Sequence, residues 1–483
     1  MVPDLTALLQ CARDTRHCRC CPGALDEVPT VLSRLYKKDT EFFLIADHRT
    51  WKSAGKRLYE TLRRKDFIIA GTYIFSEYPL WLDRTDRLGG MLSQLIGDAV
   101  PLAIGAGSIH DIVRLAAGMT NRTTLKRPYI AIPTAPSTDT FTSPLPTFVC
   151  DVRLQTPELS GPIACIADTS VFDSAPQALV RCGLGEILAL CSVELDWTVS
   201  EFLAGSDDSI QDITGLTDPI HRSQRSLHCS KDQEPSQQSW GDYAWHLALD
   251  CKAGGLWEQS FIVPLMEGLI CKGLLNQIVY HDAHTQRLSQ GSETGLRRLW
   301  RLQEATWQGD SASRGALAAY ASLLVLQIRD ILCDTLIPAL RTGKLRRSNL
   351  AELQTETTFT DAKTAMLPRQ DLAAFPVGTT HNINLKIEPT NSADLVQKRE
   401  QILDRWSELR SLLLDRRQNS AELQALLIRA GLPAQAKDLN LTRLQVLQSI
   451  RSAWRCAPGY TLLDMTRDLG LTQPLLYALE CRW

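Results

Sequence analysis

The sequence predicts an α/β domain followed by an all-helical one, and three observations carry that reading. From about residue 24 to 172, short apolar runs of strand type alternate with helical spacing. From about 173 onward the apolar spacing is helical almost throughout. Two turns rich in small residues close consecutive strand-type runs in the first part. Alternating strands and helices argue for a parallel sheet covered on both faces. The expected division is residues 1–172 as the α/β domain and 173–483 as the helical domain. An insertion at about 204–250, rich in Ser, Asp and Gln, reads as a long mobile surface segment.

The strand-type runs are Glu41–Asp47, Asp66–Gly71, Val100–Ile104, Tyr129–Ile132 and Ile163–Asp168. The third leads into Gly105-Ala106-Gly107-Ser108, after which Ile109, Ile112, Val113 and Ala116 share one helical face. A strand, a Gly-x-Gly-Ser turn and a helix start place backbone N–H groups and the positive dipole end where a phosphate could sit. Alone, Gly105-x-Gly107 marks an ordinary tight turn as readily. The next run closes in a second turn, Pro133-Thr-Ala-Pro-Ser-Thr-Asp139, and ligands of open α/β sheets bind at the carboxyl ends of strands. In the second part Leu317, Tyr320, Ala321 and Leu324, and later Ile402, Trp406, Leu409 and Leu412, fall at helical spacing with one face for the core.

Composition excludes more than it assigns. With 44% hydrophobic and 22% charged residues over 483 positions, the chain has a globular composition and room for two cores. A net charge of -2 gives no electrostatic footprint for nucleic acid or an anionic membrane. No uninterrupted apolar run reaches the roughly 18 to 20 residues that cross a bilayer. The start, Met1-Val-Pro-Asp-Leu, lacks a basic segment followed by a long apolar core, so the expected location is cytosolic. Of the 14 cysteines most stand singly in apolar contexts. His17-Cys18-Arg19-Cys20-Cys21 invites a metal reading, yet no downstream Cys/His pair at zinc-site spacing matches it; an exposed, reduced cluster is the alternative.

Several stretches together carry a resemblance: Gly105-Ala-Gly-Ser-Ile-His-Asp-Ile-Val-Arg114, Pro133 to Asp139, Ile163 to Asp168, Ser174-Ala-Pro-Gln, and Gly183-Leu-Gly185-Glu186-Ile-Leu-Ala189 followed by Asp196-Trp197. In order and spacing the chain resembles the sn-glycerol-1-phosphate dehydrogenase family, within the superfamily of 3-dehydroquinate synthases and iron-containing alcohol dehydrogenases. The resemblance runs from Gly23 to Asp464, interrupted by the 204–250 insertion. It implies a dehydroquinate synthase-like fold, a nucleotide-binding α/β domain and a helical domain with the active site between them. It also implies NAD or NADP as cofactor, a small phosphorylated or polar ketone or alcohol as substrate, and a homodimer as one assembly to consider. Asp47 matches the acidic residue that contacts the cofactor ribose, where a carboxylate accepts from ribose hydroxyls. A plain helix N-cap is the other reading of Asp47, and both stand at this point. Gly105, Ala106, Gly107, Ser108, Ile109, His110 and Asp111 match the pyrophosphate turn, with His110 in place of the usual asparagine. Thr134, Ala135, Pro136, Ser137 and Ser143 match positions lining the nicotinamide side, and Asp139 matches a residue that touches substrate.

The metal positions depart from the family. There, zinc or nickel is held by one aspartate and two histidines and polarises the ketone that receives hydride. Glu186 stands at the aspartate position, Thr294 follows Gly291-Ser-Glu293 where the first histidine would stand, and Arg314 precedes Gly315 in place of the second. A further family histidine, one turn after the first ligand and facing substrate, aligns with Arg298. Threonine and arginine are poor ligands, so the standard site is not expected. Arg298 and Arg314 instead become candidates to stabilise a developing alkoxide. His281 and His284, or His221, His228 and His246 in the insertion, are the residues that could build a displaced metal site. Three readings stay open: a dehydrogenase reducing dihydroxyacetone phosphate or a related polar ketone, a metal-free enzyme of this fold acting on another substrate, or a non-catalytic nucleotide-binding homologue.

Overall fold

Six parallel strands form one sheet in the order β1-β8-β5-β4-β2-β3. They are β1 (His17–Cys21), β2 (Glu41–Asp47), β3 (Ile68–Phe75), β4 (Val100–Gly105), β5 (Ile130–Pro133) and β8 (Ala164–Asp168). A separate antiparallel pair, β6 (Phe148–Cys150) and β7 (Arg153–Gln155), lies between the last two in sequence. The computed structural model describes residues 5–76, 85–119, 127–145, 148–150, 153–155, 159–204, 240–250, 258–283, 291–306, 313–345, 392–415, 418–457 and 459–483. Every residue of β4, β5 and β8 is buried, as strands covered on both faces must be. The chain leaves β2 for the edge strand β3 and returns on the other side of β2 as β4. That reversal makes a crevice at the carboxyl ends of β2 and β4, where open sheets bind ligands.

The structure places β3 at Ile68–Phe75 rather than Asp66–Gly71, starting two residues later than the sequence reading and ending four later. Asp66 holds φ 58, a turn conformation after the Lys56–Arg64 helix, so extended backbone begins only beyond it. β1 corrects the reading of the cysteine cluster: His17–Cys21 is an edge strand, half-buried, in register with Ala164–Asp168 of β8. The insertion is also corrected in part. Residues 205–239 lie outside the described residues, but Trp240–Asp250 is a helix with Trp240, Tyr243, Ala244, Trp245, Leu247 and Ala248 buried. Its aromatic residues are core, whereas the polar stretch before it dominated the composition.

Long helices make up the second part: Gln177–Ala204, Gln259–Ala283, Ser292–Thr306 and Arg314–Ile331. Windows within Gln259–Ile278 and Arg314–Arg341, each interrupted by polar residues, are long and apolar enough to cross a membrane by length and composition; 83% of each is buried inside the protein, as in core helices. Asp196 ties this part together. Its carboxylate accepts from the Ser292 N–H at 2.5 Å, the Ser292 hydroxyl at 2.8 Å and the Leu462 N–H at 2.7 Å, so one side chain caps two helix starts. Trp406 is buried as its spacing predicts, but the helix breaks at Arg405 into Ser392–Asp404 and Trp406–Leu414.

Candidate functional site

The crevice at the reversal of strand order is lined by Asp47 and by the turn after β4. Asp47 ends β2 and caps the next helix: its Oδ1 accepts from Arg49 N–H at 2.8 Å and Thr50 N–H at 2.9 Å. The cap is therefore present, and it also fixes the orientation of the carboxylate, whose Oδ2 takes no part in it. Ala106 caps the Gly107–Gly118 helix through no side chain, so the N–H groups of its first turn, on Gly107 and Ser108, face outward for an anion. Ile109 packs inward on Gly105, and His110 is buried edge-on against Phe141 with its Nδ1 3.0 Å from the Ala106 carbonyl. Burial pushes the His110 pKa down to about 3. Their side chains belong to the core, and it is their backbone that lies in the turn. Asp111 points to Arg114 at 3.0 Å, and burial raises its pKa to about 6, against the lowering by Arg114 and Arg314.

The second turn folds over the first. Thr134 N–H donates to the Gly105 carbonyl at 3.1 Å, and a Cβ on Gly107 would stand 2.9 Å from Thr138 Cγ2. Thr134, Ala135, Pro136, Ser137 and Ser143 are all buried beneath the helices of the second part, Ser143 hydroxyl accepting from Leu145 N–H at 3.2 Å.

Three glycines then bring charges together. A Cβ on Gly185 would overlap the Gly315 carbonyl, and one on Gly315 the Cys182 carbonyl, so the Gln177–Ala204 and Arg314–Ile331 helices cross in backbone contact. A Cβ on Gly273 would overlap the Thr142 hydroxyl, which seats the Gln259–Ala283 helix on the 139–143 turn. Each glycine adjoins a charged residue in sequence: Glu186, Arg314 and Lys272. Those side chains meet as a consequence. Lys272 Nζ lies 3.3 Å from Glu186 Oε2, 3.4 Å from Asp139 Oδ2 and 2.8 Å from the Glu186 carbonyl. Arg314 Nε lies 3.0 Å from Glu186 Oε1, its Nη2 3.3 Å from Asp139 Oδ1 and its Nη1 3.2 Å from the Thr140 hydroxyl. Arg297 Nη1 sits 3.3 Å from both Glu186 oxygens, Nη2 3.2 Å from the Thr294 hydroxyl and Nε 2.8 Å from Glu293 Oε2. Burial alone would raise the Asp139 and Glu186 pKa values, but the three cations outweigh it and hold both below the ordinary carboxylate range. Burial opposes the charge on Arg314 too, and Glu186 and Asp139 outweigh that.

Glu186, Asp139, Thr294 and Arg314 thus converge as their positions imply. Arg298 does not: its Nη1 donates to the Cys456 carbonyl at 2.7 Å, and burial lowers its pKa to about 10. The neighbouring Arg297 faces Glu186 in its place. Arg297, Lys272 and Asn276, whose amide donates to Asp139 Oδ2 at 3.3 Å, are the residues that sequence reasoning missed. Glu293 and Arg297 are spaced i,i+4, a pairing that could have singled out Arg297.

The donor set does not fit a divalent ion. Both Glu186 oxygens are engaged by cations, and threonine and arginine replace the nitrogen ligands. A unit positive charge about 4 Å from a divalent ion costs about 8 kcal/mol at an effective dielectric of about 20. Among the described residues no other group of His, Cys, Asp and Glu is placed to hold one. His246 is exposed, while His221, His228 and His284 lie outside the described residues, and only the helical backbone of His281 is described.

Comparison with known proteins agrees with this architecture. Residues 19–176 match the family described as iron-containing alcohol dehydrogenase. That match spans the part of the chain that forms the six-stranded sheet. Over 181 residues the chain is 34% identical to a glycerol-1-phosphate dehydrogenase (NAD(P)+) of Bacillus licheniformis, covering 37% of this chain and 43% of the relative. Over 286 residues it is 28% identical to the protein of the same name in Halalkalibacterium halodurans, covering 58% and 63%. The chain therefore matches between about two fifths and two thirds of these relatives' lengths. A probable glycerol dehydrogenase from Sinorhizobium meliloti shares the fold with TM-score 0.52 and 12% identity over 97% of each chain. So does a sulfoacetaldehyde reductase from Bifidobacterium kashiwanohense in complex with NAD+, at 0.51, 13% and 97% of each chain.

Proposed function

We propose that the chain is an NAD(P)-dependent oxidoreductase acting on a CH–OH group, with side-chain cations at the position its relatives give to a metal. The observation that carries this reading is a path of three contacts through four residues. Gly107, in the dinucleotide turn, meets Thr138; the Thr138 hydroxyl lies 3.2 Å from that of Thr140; the Thr140 hydroxyl lies 3.2 Å from Arg314. The charged cluster therefore adjoins the crevice where a nucleotide would lie.

In this reading Asp47 accepts from the ribose through Oδ2, and the Gly107 and Ser108 N–H groups receive the pyrophosphate. Thr134 to Ser137 and Ser143 frame the nicotinamide side, and Asp139 and Glu186 hold Arg314 in place. Bound NAD(P)H supplies the hydride. Arg314 has a side chain 25% exposed and five N–H donors, three of which face Glu186, Asp139 and Thr140. The other two are available to a carbonyl oxygen as negative charge develops on it. A small phosphorylated or polar ketone is the proposed substrate class, and dihydroxyacetone phosphate is the first to test.

The test follows the loss of NADH absorbance with dihydroxyacetone phosphate and a panel of polar ketones, with and without EDTA. Turnover should resist EDTA, and Arg314→Ala should lower it at least tenfold, about 1.4 kcal/mol of barrier. No thermal shift at millimolar NADH or NADPH overturns the proposal. One observation favours a second reading: Glu186 is 0% exposed and Lys272 3% exposed, with all three ammonium N–H groups directed at protein oxygens. A cluster so closed suits a nucleotide-binding homologue without catalysis, for which NADH would bind and no ketone would turn over.

A further inference from the structure

We infer that Arg297 and Lys272 are built-in replacements for the divalent ion, so that the chain excludes metal by occupying its place. The three positions aligned with the family's ligands, Glu186, Thr294 and Arg314, do not surround a gap. Arg297 presents Nη1 to both oxygens of Glu186 at 3.3 Å and Nη2 to the Thr294 hydroxyl at 3.2 Å, and Arg314 Nε reaches the same Glu186 oxygen at 3.0 Å. The Arg297 guanidinium thus lies among the old ligand positions. It is held there by Glu293, a buried carboxylate one helical turn back, at 2.8 Å. Lys272 adds a second cation beside it and draws two carboxylates together, with Nζ 3.3 Å from Glu186 and 3.4 Å from Asp139.

The charges close. Among the described residues, Lys272, Arg297 and Arg314 contribute three positive charges to these ion pairs, and Asp139, Glu186 and Glu293 contribute three negative ones. Two more positive charges on a divalent ion would leave a buried excess, which is strongly disfavoured unless a resident cation leaves. Arg297 cannot swing to solvent without leaving the buried Glu293 without its ion pair. The ligand-to-arginine change at 314 and the cations at 272 and 297 therefore form one unit, and restoring histidines alone would not restore a metal site. The inference rests on the placing of positions 186, 294 and 314 at the family's ligand set, and it is independent of turnover.

The test is Co2+ binding, read from visible d–d absorption and titration of the purified full chain, with no nucleotide present. The unmodified protein should show no cobalt band and carry no stoichiometric metal after purification without chelator. Thr294→His with Arg314→His should also bind none, because Arg297 and Lys272 remain. Adding Arg297→Ala and Lys272→Met to that pair should produce one bound Co2+ per chain, at least a hundredfold tighter than in the unmodified protein. One tightly held metal in the unmodified protein, or cobalt binding by the two-histidine variant, overturns the inference, as does a folded four-substitution variant that binds none. Should that variant lose its native circular dichroism, Thr294→His, Arg314→His and Arg297→Ala with Lys272 retained is read in its place. Because NADH binding plays no part, failure here leaves the proposed dehydrogenase chemistry standing, and failure there leaves this result intact.

Discussion

Lys272→Met removes one cation from the buried cluster while keeping the length and apolar stem of the side chain. Lys272 is 3% exposed and makes two ion pairs, to Glu186 and Asp139, as well as a 2.8 Å hydrogen bond to the Glu186 carbonyl. Breaking a buried pair from one side costs about 3 to 5 kcal/mol, because the partner charge stays behind. Here Arg314 also reaches both carboxylates and Arg297 reaches Glu186, so the lower end, about 3 kcal/mol at neutral pH, is expected. The effect has a pH signature. Burial alone would raise the folded pKa values of Asp139 and Glu186, but the surrounding cations depress them. The stability they contribute is therefore present above the unfolded carboxylate pKa of about 4 and is lost as pH falls through the depressed folded values. The difference between the parent protein and Lys272→Met should be full above about pH 5 and shrink below about pH 4. Urea unfolding followed by tryptophan fluorescence across that range measures it. A difference under about 1 kcal/mol at neutral pH, or one that does not shrink in acid, would refute the assignment of Lys272 as the clamp on both carboxylates.

Three further outcomes are expected. Gly107→Val should weaken NADH binding more than tenfold, about 1.4 kcal/mol, because its Cβ would begin 2.9 Å from Thr138 Cγ2 and push the two turns apart; an unchanged NADH-induced thermal shift would contradict this. Gly315→Ala should cost about 1 to 3 kcal/mol by forcing its helix off the Cys182 carbonyl, with equilibrium unfolding as the measure; a neutral substitution would show that the crossing is not tight. Trp406→Ala, at a residue only 2% exposed, should cost about 3 to 5 kcal/mol in the same assay, and a loss under about 1 kcal/mol would count against its place in the core.

What could be read from the sequence was what local chemistry fixes. β4 and its Gly105–Ser108 turn were legible because an apolar run, small residues and a helical face follow one another within a few positions. Asp47 was legible as a candidate but not as one role over the other, since a carboxylate at a strand end can cap a helix and face a crevice together. β1 was not legible: His17–Cys21 has no apolar alternation, and it is a strand because β8 offers an open edge. Nor could the polar composition before Trp240 disclose that the helix beginning there is core.

The cluster shows the division most clearly. Glu186, Thr294 and Arg314 could be placed by the order of motifs, but which neighbouring arginine joins them could not, because residues 297 and 298 point about 100° apart on a helix. Packing decides it: a Cβ on Gly295 would overlap the Ala453 carbonyl, and with that helix seated so closely Arg298 turns to Cys456 and Arg297 to Glu186. Lys272 stood in the sequence as a lone charge in the apolar stretch from Gly268 to Ile278, with no sign of what it would meet. Its partners lie 86 and 133 residues away and reach it only through two close contacts that three glycines permit, a helix crossing and a helix seated on a turn. The sequence by itself determined which elements form and which residue types stand at the site. The tertiary structure alone decided which charges neutralise one another, because an ion pair depends on distances between side chains that no local pattern encodes.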